Sequence, residues 1–196
     1  VPAVVVTFEP LPREFFARSN PPPRLTLPRD RISGLSALGI DHLGLLRFDA
    51  ALAAMPAEEF VRRVLAGRLG AREVWIGPEF RFGHRRGGDL DLLQAMGAEL
   101  GFPASEIAPV HVHGERVSST RIREALVVGD FGHAATLLGR PYAIGGRVVR
   151  GRQLGRTLGF PTANLRFAGK TPALSGIYAT WVHGVGATPR ASRGGV

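Results

Sequence analysis

The chain has no cysteine in its 196 residues, which excludes disulfides and thiolate metal sites and fits a cytoplasmic protein. Lysine is almost as scarce: Lys170 is the only one, so nearly all positive charge is guanidinium. Beyond Asp130 there is no Asp or Glu side chain, so the C-terminal part holds no carboxylate that could serve as a base. No apolar run approaches the length of a membrane-spanning helix, and no signal-peptide pattern opens the chain. Few aromatics interleave with the arginines, which argues against a stacking platform for single-stranded nucleic acid.

What is present is globular: 44% hydrophobic and 21% charged residues, enough chain for one large domain or two small ones. The net charge is +9, and its distribution is uneven. Residues 1–100 hold 13 basic and 12 acidic residues, whereas residues 101–196 hold 12 basic and 4 acidic. Such a basic surface suits a polyanion, either nucleic acid or the phosphates of a nucleotide.

The pattern divides near Gly139–Pro141. Before it, a continuous apolar run at Ala3–Phe8 predicts a strand buried on both faces. A helix is expected at Pro28–Leu38, a strand at His42–Phe48 and a long helix at Met55–Leu69. A short strand at Val74–Ile76, a helix at Leu90–Leu100 and a strand at Ile107–Val112 follow, then a helix pair at Thr120–Val128 and Asp130–Leu138. Strands alternating with helices imply a parallel α/β sheet. After the boundary, Tyr142–Val149 and Ile177–His183 alternate as antiparallel strands do, and an all-β domain is expected.

Three stretches carry chemistry. Val117–Leu126, VSSTRIREAL, sets Ser118, Ser119 and Thr120 just before Arg121 and Arg123 at a helix start. Capping hydroxyls, free N–H groups and guanidinium forks together suit phosphate oxygens. The plainer alternative is a capped surface helix with solvated arginines. Gly77–Gly83, GPEFRFG, follows a strand; Phe80, Phe82 and Gly83 could wall a planar ligand, or the two rings could simply pack into the core. Gly151–Leu165, GRQLGRTLGFPTANL, offers glycines for close backbone approach (Gly151, Gly155, Gly159) and arginines for phosphate (Arg152, Arg156). Thr162 and Asn164 follow, two neutral oxygens on one face of an extended segment, suited to a hard cation such as Mg²⁺. The alternative there is a Gly/Pro turn.

These motifs, with VTFEPLPREFF near the start, resemble in order and spacing those of the bacterial bifunctional riboflavin kinase/FMN adenylyltransferases, the FAD synthetases. The resemblance covers nearly the whole chain. It implies a Rossmann-like nucleotidyltransferase domain lacking its first strand at residues 1–139, followed at residues 140–196 by the beginning of a six-stranded Greek-key riboflavin-kinase barrel. It further implies that Ser118, Ser119, Thr120 and Arg123, with Arg121 beside them, bind the ATP triphosphate. Phe8, Pro10 and Pro12, with Phe80, Phe82 and Gly83, would line the flavin side. Gly151, Arg152, Gly155 and Arg156 would cover nucleotide phosphates, and Thr162 and Asn164 would hold Mg²⁺. The implied substrates and products are ATP, riboflavin, FMN and FAD, with neither nucleic acid nor membrane as partner.

The departures are specific. The family's GxFDGxHxGH stretch is absent, and the nearest histidines, His111 and His113, lie on a late strand. Glu79 stands where the family usually has Asp or Asn, and Arg150 where it often has His. A second Pro-Thr motif and a catalytic Glu do not follow. The expectation is a chain shortened at both ends and impaired in activity. Three rival readings stand beside it: a flavin- or nucleotide-binding protein without turnover, another kind of nucleotidyltransferase, and a basic nucleic-acid binder.

Overall fold

A computed structural model describes residues 1–17, 19–151, 159–160, 162–167 and 169–184, and the backbone of 192–195. Strand β1 (Val4–Glu9) lies parallel to β2 (His42–Arg47), with Val4 opposite His42 and Glu9 opposite Arg47. Between them run the short helix α1 (Pro12–Phe16) and α2 (Pro28–Ala37). A second parallel pair joins β3 (Val74–Ile76) to β4 (Ala104–Glu106) through helix α5 (Leu90–Leu100). The strand–helix–strand order predicted from periodicity is thus present, as two separate two-stranded sheets among the described residues.

Several expectations need correction. β1 is not buried on both faces: Val4 is exposed and the rest of the strand only half-buried, because β2 is its one strand partner among the described residues. The helix expected at Met55–Leu69 begins as α4 (Ala57–Phe60) and then widens into π-helical turns, Val61–Arg68. A separate helix, α3 (Ala50–Ala54), precedes it, capped by Asp49 accepting from the Leu52 N–H at 3.0 Å. The strand expected at Ile107–Val112 is shorter. β4 ends at Glu106, before it begins, and only His111–Val112 is strand, β5 of a tight hairpin with β6 (Glu115–Arg116). The reason is the turn between them: His113 and Gly114 both have positive φ, the two-residue geometry that matches strand twist.

Hydrophobic packing forms two clusters. The first gathers Val61, Leu65, Ile76, Phe82, Leu93 and Met96 around α5, a helix capped by Asp89 and ended by a left-handed Gly101. The second lies between α6 (Ser119–Val127) and α7 (Phe131–Leu138), where Ile122, Leu126, Ala134 and Leu137 are buried. Leu93 and Leu126 are each 1% exposed, and burying such a side chain contributes roughly 1.5–3 kcal/mol.

Beyond Leu137 the structure changes character. β7 (Arg147–Val149) pairs antiparallel with β8 (Asn164–Arg166), and β9 (Ala179–Val182) with β10 (Ser192–Gly195). The antiparallel expectation holds, over shorter strands than predicted. No closed barrel is formed among the described residues. The segment around Ala173 leaves these strands and packs into the α6–α7 cluster.

Candidate functional site

Helix α6 begins where the hydroxyl-rich motif predicts, with Ser118 as its cap. Ser118 has extended backbone and its Oγ accepts from the Arg121 N–H at 3.3 Å. Ser119 and Thr120 are exposed in the first turn. The two arginines are not merely solvated. Arg121 Nη1 donates to Glu115 Oε1 at 2.8 Å, so the β5–β6 hairpin holds it. Arg123 Nε donates to the Pro23 carbonyl at 2.8 Å, and its Nη1 to the Ser119 carbonyl at 3.0 Å. Burial, together with the charge of Arg13, lowers the Arg123 pKa. Arg123 therefore stands as a positioned cation one turn into the helix, tied to the loop that precedes Arg24.

Arg24 is the residue that sequence reading missed. It lies in a loop among prolines, yet it is 4% exposed, the one buried charged residue among those described. Its guanidinium meets both oxygens of Glu9 at 2.8 Å, at the C-terminal end of β1. It also meets both oxygens of Glu14 on α1. Lys170 joins from the far part of the chain, 3.1 Å from Glu9 Oε1 and 3.0 Å from Glu14 Oε2. Arg31 completes the group, 3.0 Å from Glu9 Oε2 and 3.0 Å from the Thr7 hydroxyl.

Burial alone would raise the Glu14 carboxyl. Hydrogen bonds from Arg24, Lys170 and the Leu11 N–H outweigh it and hold the pKa down to about 2. Glu9 is lowered, and Arg24 raised, through the same contacts and against the same burial cost. A buried charge cluster persists only when each charge is paired and hydrogen-bonded, and here each is.

The predicted flavin-side residues fall into two groups. Phe8, Pro10 and Pro12 flank the Glu9 end of β1, all half-buried. Phe82 is 9% exposed and belongs to the α5 cluster, whereas Phe80 is 42% exposed. The two rings stack 6.1 Å apart, so one packs inward and the other faces out. Phe60 connects the groups, 6.5 Å from Phe8 and 6.0 Å from Phe82. Phe48 lies 5.6 Å from Phe8 and 5.4 Å from Phe15. A row of rings thus runs from the end of β1 to the GPEFRFG loop. Phe15, Phe48 and Phe60 are its members that the sequence did not assign to the flavin side; they come from separate parts of the chain. Gly83 has a packing role of its own: φ is 72°, and a Cβ there would come within 2.5 Å of the Ala57 backbone.

In the C-terminal part the structure brings Gly151 and Asn164 together. A Cβ on residue 151 would lie 2.4 Å from Asn164 Nδ2, so only glycine lets that amide pack there. Thr162 and Asn164 are both exposed. As neutral oxygen donors they fit a hard cation whose charge is balanced by phosphate rather than by protein. Among the described residues no cluster of three or more His, Cys, Asp and Glu could hold a metal by itself. Arg152, Gly155 and Arg156 lie outside the described residues.

Parallel strand pairs connected through helices, with a capped helix start and a charge cluster near the strand ends, place the N-terminal part in the α/β class. Comparison with known proteins narrows this. A sequence model of FAD synthetase matches residues 1–121, and one of riboflavin kinase matches residues 138–193. The chain belongs to the FAD synthetase family.

The bifunctional riboflavin kinase/FMN adenylyltransferase of Escherichia coli (strain K12) is 41% identical over 189 residues, covering 96% of this chain and 60% of that protein. The protein of the same name from Pseudomonas fluorescens is 43% identical over 178 residues, 91% of this chain and 57% of its own. The chain thus spans about 60% of the length of the curated relatives it matches. Among solved structures, one named as a macrolide-efflux protein from Streptococcus pneumoniae superposes with a TM-score of 0.71 at 29% identity, over 91% of this chain and 58% of that one. No helix among the described residues is long and apolar enough to cross a membrane.

Proposed function

We propose that the chain serves flavin cofactor biosynthesis, through ATP-dependent phosphorylation of riboflavin to FMN and adenylylation of FMN to FAD. The observation that carries the reading is the start of α6. Ser118 caps it, Ser119 and Thr120 are open in its first turn, and Arg123 is held at its side, in a chain that matches FAD synthetase and riboflavin kinase in succession.

In adenylyl transfer an FMN phosphate oxygen attacks the α-phosphorus of ATP and pyrophosphate leaves. The protein's task there is to position two anions and spread the developing charge. Free N–H groups at the helix start and the guanidinium groups of Arg123 and Arg121 take the triphosphate. The aromatic row from Phe8 through Phe60 to Phe82 and Phe80, with Pro10, Pro12 and Gly83 at its ends, offers an apolar wall for an isoalloxazine ring.

In kinase chemistry the riboflavin hydroxyl attacks the γ-phosphorus of ATP, ADP leaves and the hydroxyl proton is released. Thr162 and Asn164 would hold Mg²⁺, which neutralises phosphate charge when bound, and Gly151, Arg152, Gly155 and Arg156 would close over the phosphates. The corresponding architecture is a Rossmann-like domain over residues 1–139 and part of a Greek-key barrel over 140–196. The partners are flavins and nucleotides, and the compartment is the cytoplasm.

The deciding experiment incubates the protein with FMN or riboflavin, ATP and Mg²⁺ and resolves FMN from FAD chromatographically, alongside calorimetric titration of ATP. Arg123→Ala is expected to weaken ATP binding about tenfold, or ~1.4 kcal/mol, and to lower FAD formation with it. Flavin and ATP binding with neither product formed would make the protein a non-catalytic binder.

A further inference from the structure

Lys170 belongs to the segment that matches riboflavin kinase, yet its ammonium lies in the other half of the molecule. Its Nζ is 3.1 Å from Glu9 Oε1 and 3.0 Å from Glu14 Oε2, 156 residues away from the latter in sequence. The backbone around it is clipped in place. Arg24 N–H donates to the Thr171 carbonyl at 2.8 Å, and Ala173 N–H to the Arg24 carbonyl at 3.0 Å. Ala173 is then buried, 7% exposed, in the cluster that holds Ile122 and Leu126 of α6. Residues 170–173 therefore touch both sides of the proposed adenylyl-transfer site. On one side is the Glu9–Glu14 turn that carries Pro10 and Pro12, and on the other is the helix that carries Ser119 and Arg123.

We infer that Lys170 is a positioning residue for the adenylyltransferase half, supplied by the kinase-matched segment as a strap between the flavin-side turn and α6. The charge count explains why it positions rather than merely stabilises. Three cations (Arg24, Arg31, Lys170) face two carboxylates (Glu9, Glu14). Removing Lys170 leaves both carboxylates paired with guanidinium groups, so no uncompensated buried charge results. What is lost is the one cation that reaches across from the strap. The Glu14 carboxylate, which still accepts from Arg24 and from the Leu11 N–H at 3.1 Å, then loses its tie to the strap, and the Pro10–Pro12 turn is held less firmly.

The flavin part of this inference rests on the reading proposed above, so the test has two independent readouts on the full chain. The first is hydrogen exchange of the Leu11 amide without ligand, with the amides of α5 as reference for global stability. In Lys170→Met it is expected to rise about tenfold, or ~1.4 kcal/mol, with α5 unchanged, and Lys170→Arg is expected to restore it. The second is FMN affinity by calorimetry, expected to fall by a similar factor in Lys170→Met and to return in Lys170→Arg. Unchanged Leu11 exchange overturns the inference, since Lys170 is then an ordinary surface charge. Raised exchange with unaltered FMN affinity overturns the positioning role. If the wild-type chain binds no FMN, the functional reading fails, and the exchange data alone decide for or against the strap.

Discussion

The two parts of the molecule differ most in how they bury apolar surface. Up to Leu137, capped helices enclose two clusters in which Leu93, Leu126 and Val61 are fully buried. Beyond it, Ala173 alone among the described residues is buried, and its neighbours are α6 and α7 rather than the strands around it. Phe160, Ile177 and Trp181 are 78%, 89% and 67% exposed. The first part is held by its own core. The second is held, at its best-packed point, by the first. The 170–173 segment is matched by the riboflavin kinase model, yet it bonds to Arg24 and packs with α6 and α7.

The sharpest way to break this comparison is at the hub. Arg24→Met removes the fork that pairs Glu9 and Glu14, leaving the part-buried carboxylates with Lys170 and Arg31 as their cations. The expected loss is about 3–5 kcal/mol, read as a lowered midpoint in urea unfolding. Next, Leu126→Ala should cost about 2–5 kcal/mol, because it opens a cavity where α6, α7 and the strap meet. Retention of full stability in that variant would mean that the strap does not depend on this cluster.

The charge cluster should also appear in acid. The Glu14 pKa is lowered by folding, so its contribution to stability is complete above the ordinary glutamate value of 4.5. That contribution is lost as pH falls from there towards about 2. Glu9, also lowered, acts in the same direction. Glu14→Gln should therefore flatten the fall of unfolding free energy between these limits, measured by denaturant titration at each pH. An equally steep acid profile would place the sensitivity elsewhere. Smallest of all, Trp181→Ser should change stability by less than about 0.5 kcal/mol, since that ring is two-thirds exposed. A larger loss in a thermal melt would show that the C-terminal strands share a core after all.

Local chemistry made much of this readable. Asp89, Ser118 and Asp130 cap α5, α6 and α7, and their apolar spacing set the buried faces. The phosphate-suited motif emerged at a helix start for the same reason, because a cap, free N–H groups and i, i+2 arginines are all properties of adjacent residues. The β5–β6 hairpin was missed because it depends on two consecutive positive φ values, one of them at His113, a residue type that does not announce such a turn. Arg24 was missed because nothing in its neighbours marks a buried ion. Its side-chain partners come from β1 and α1, and its backbone bonds to Thr171 and Ala173, well over a hundred residues further on.

The sequence by itself determined the family, the order of strands and helices, and the residues at the start of α6. These follow from period, capping and motif, which act over a few residues. Only the tertiary structure decided which arginine is buried, how Phe8, Phe60 and Phe82 form one row, and where the sole lysine goes. Those outcomes depend on burying charges that would be costly alone and are tolerated only when distant segments pair them.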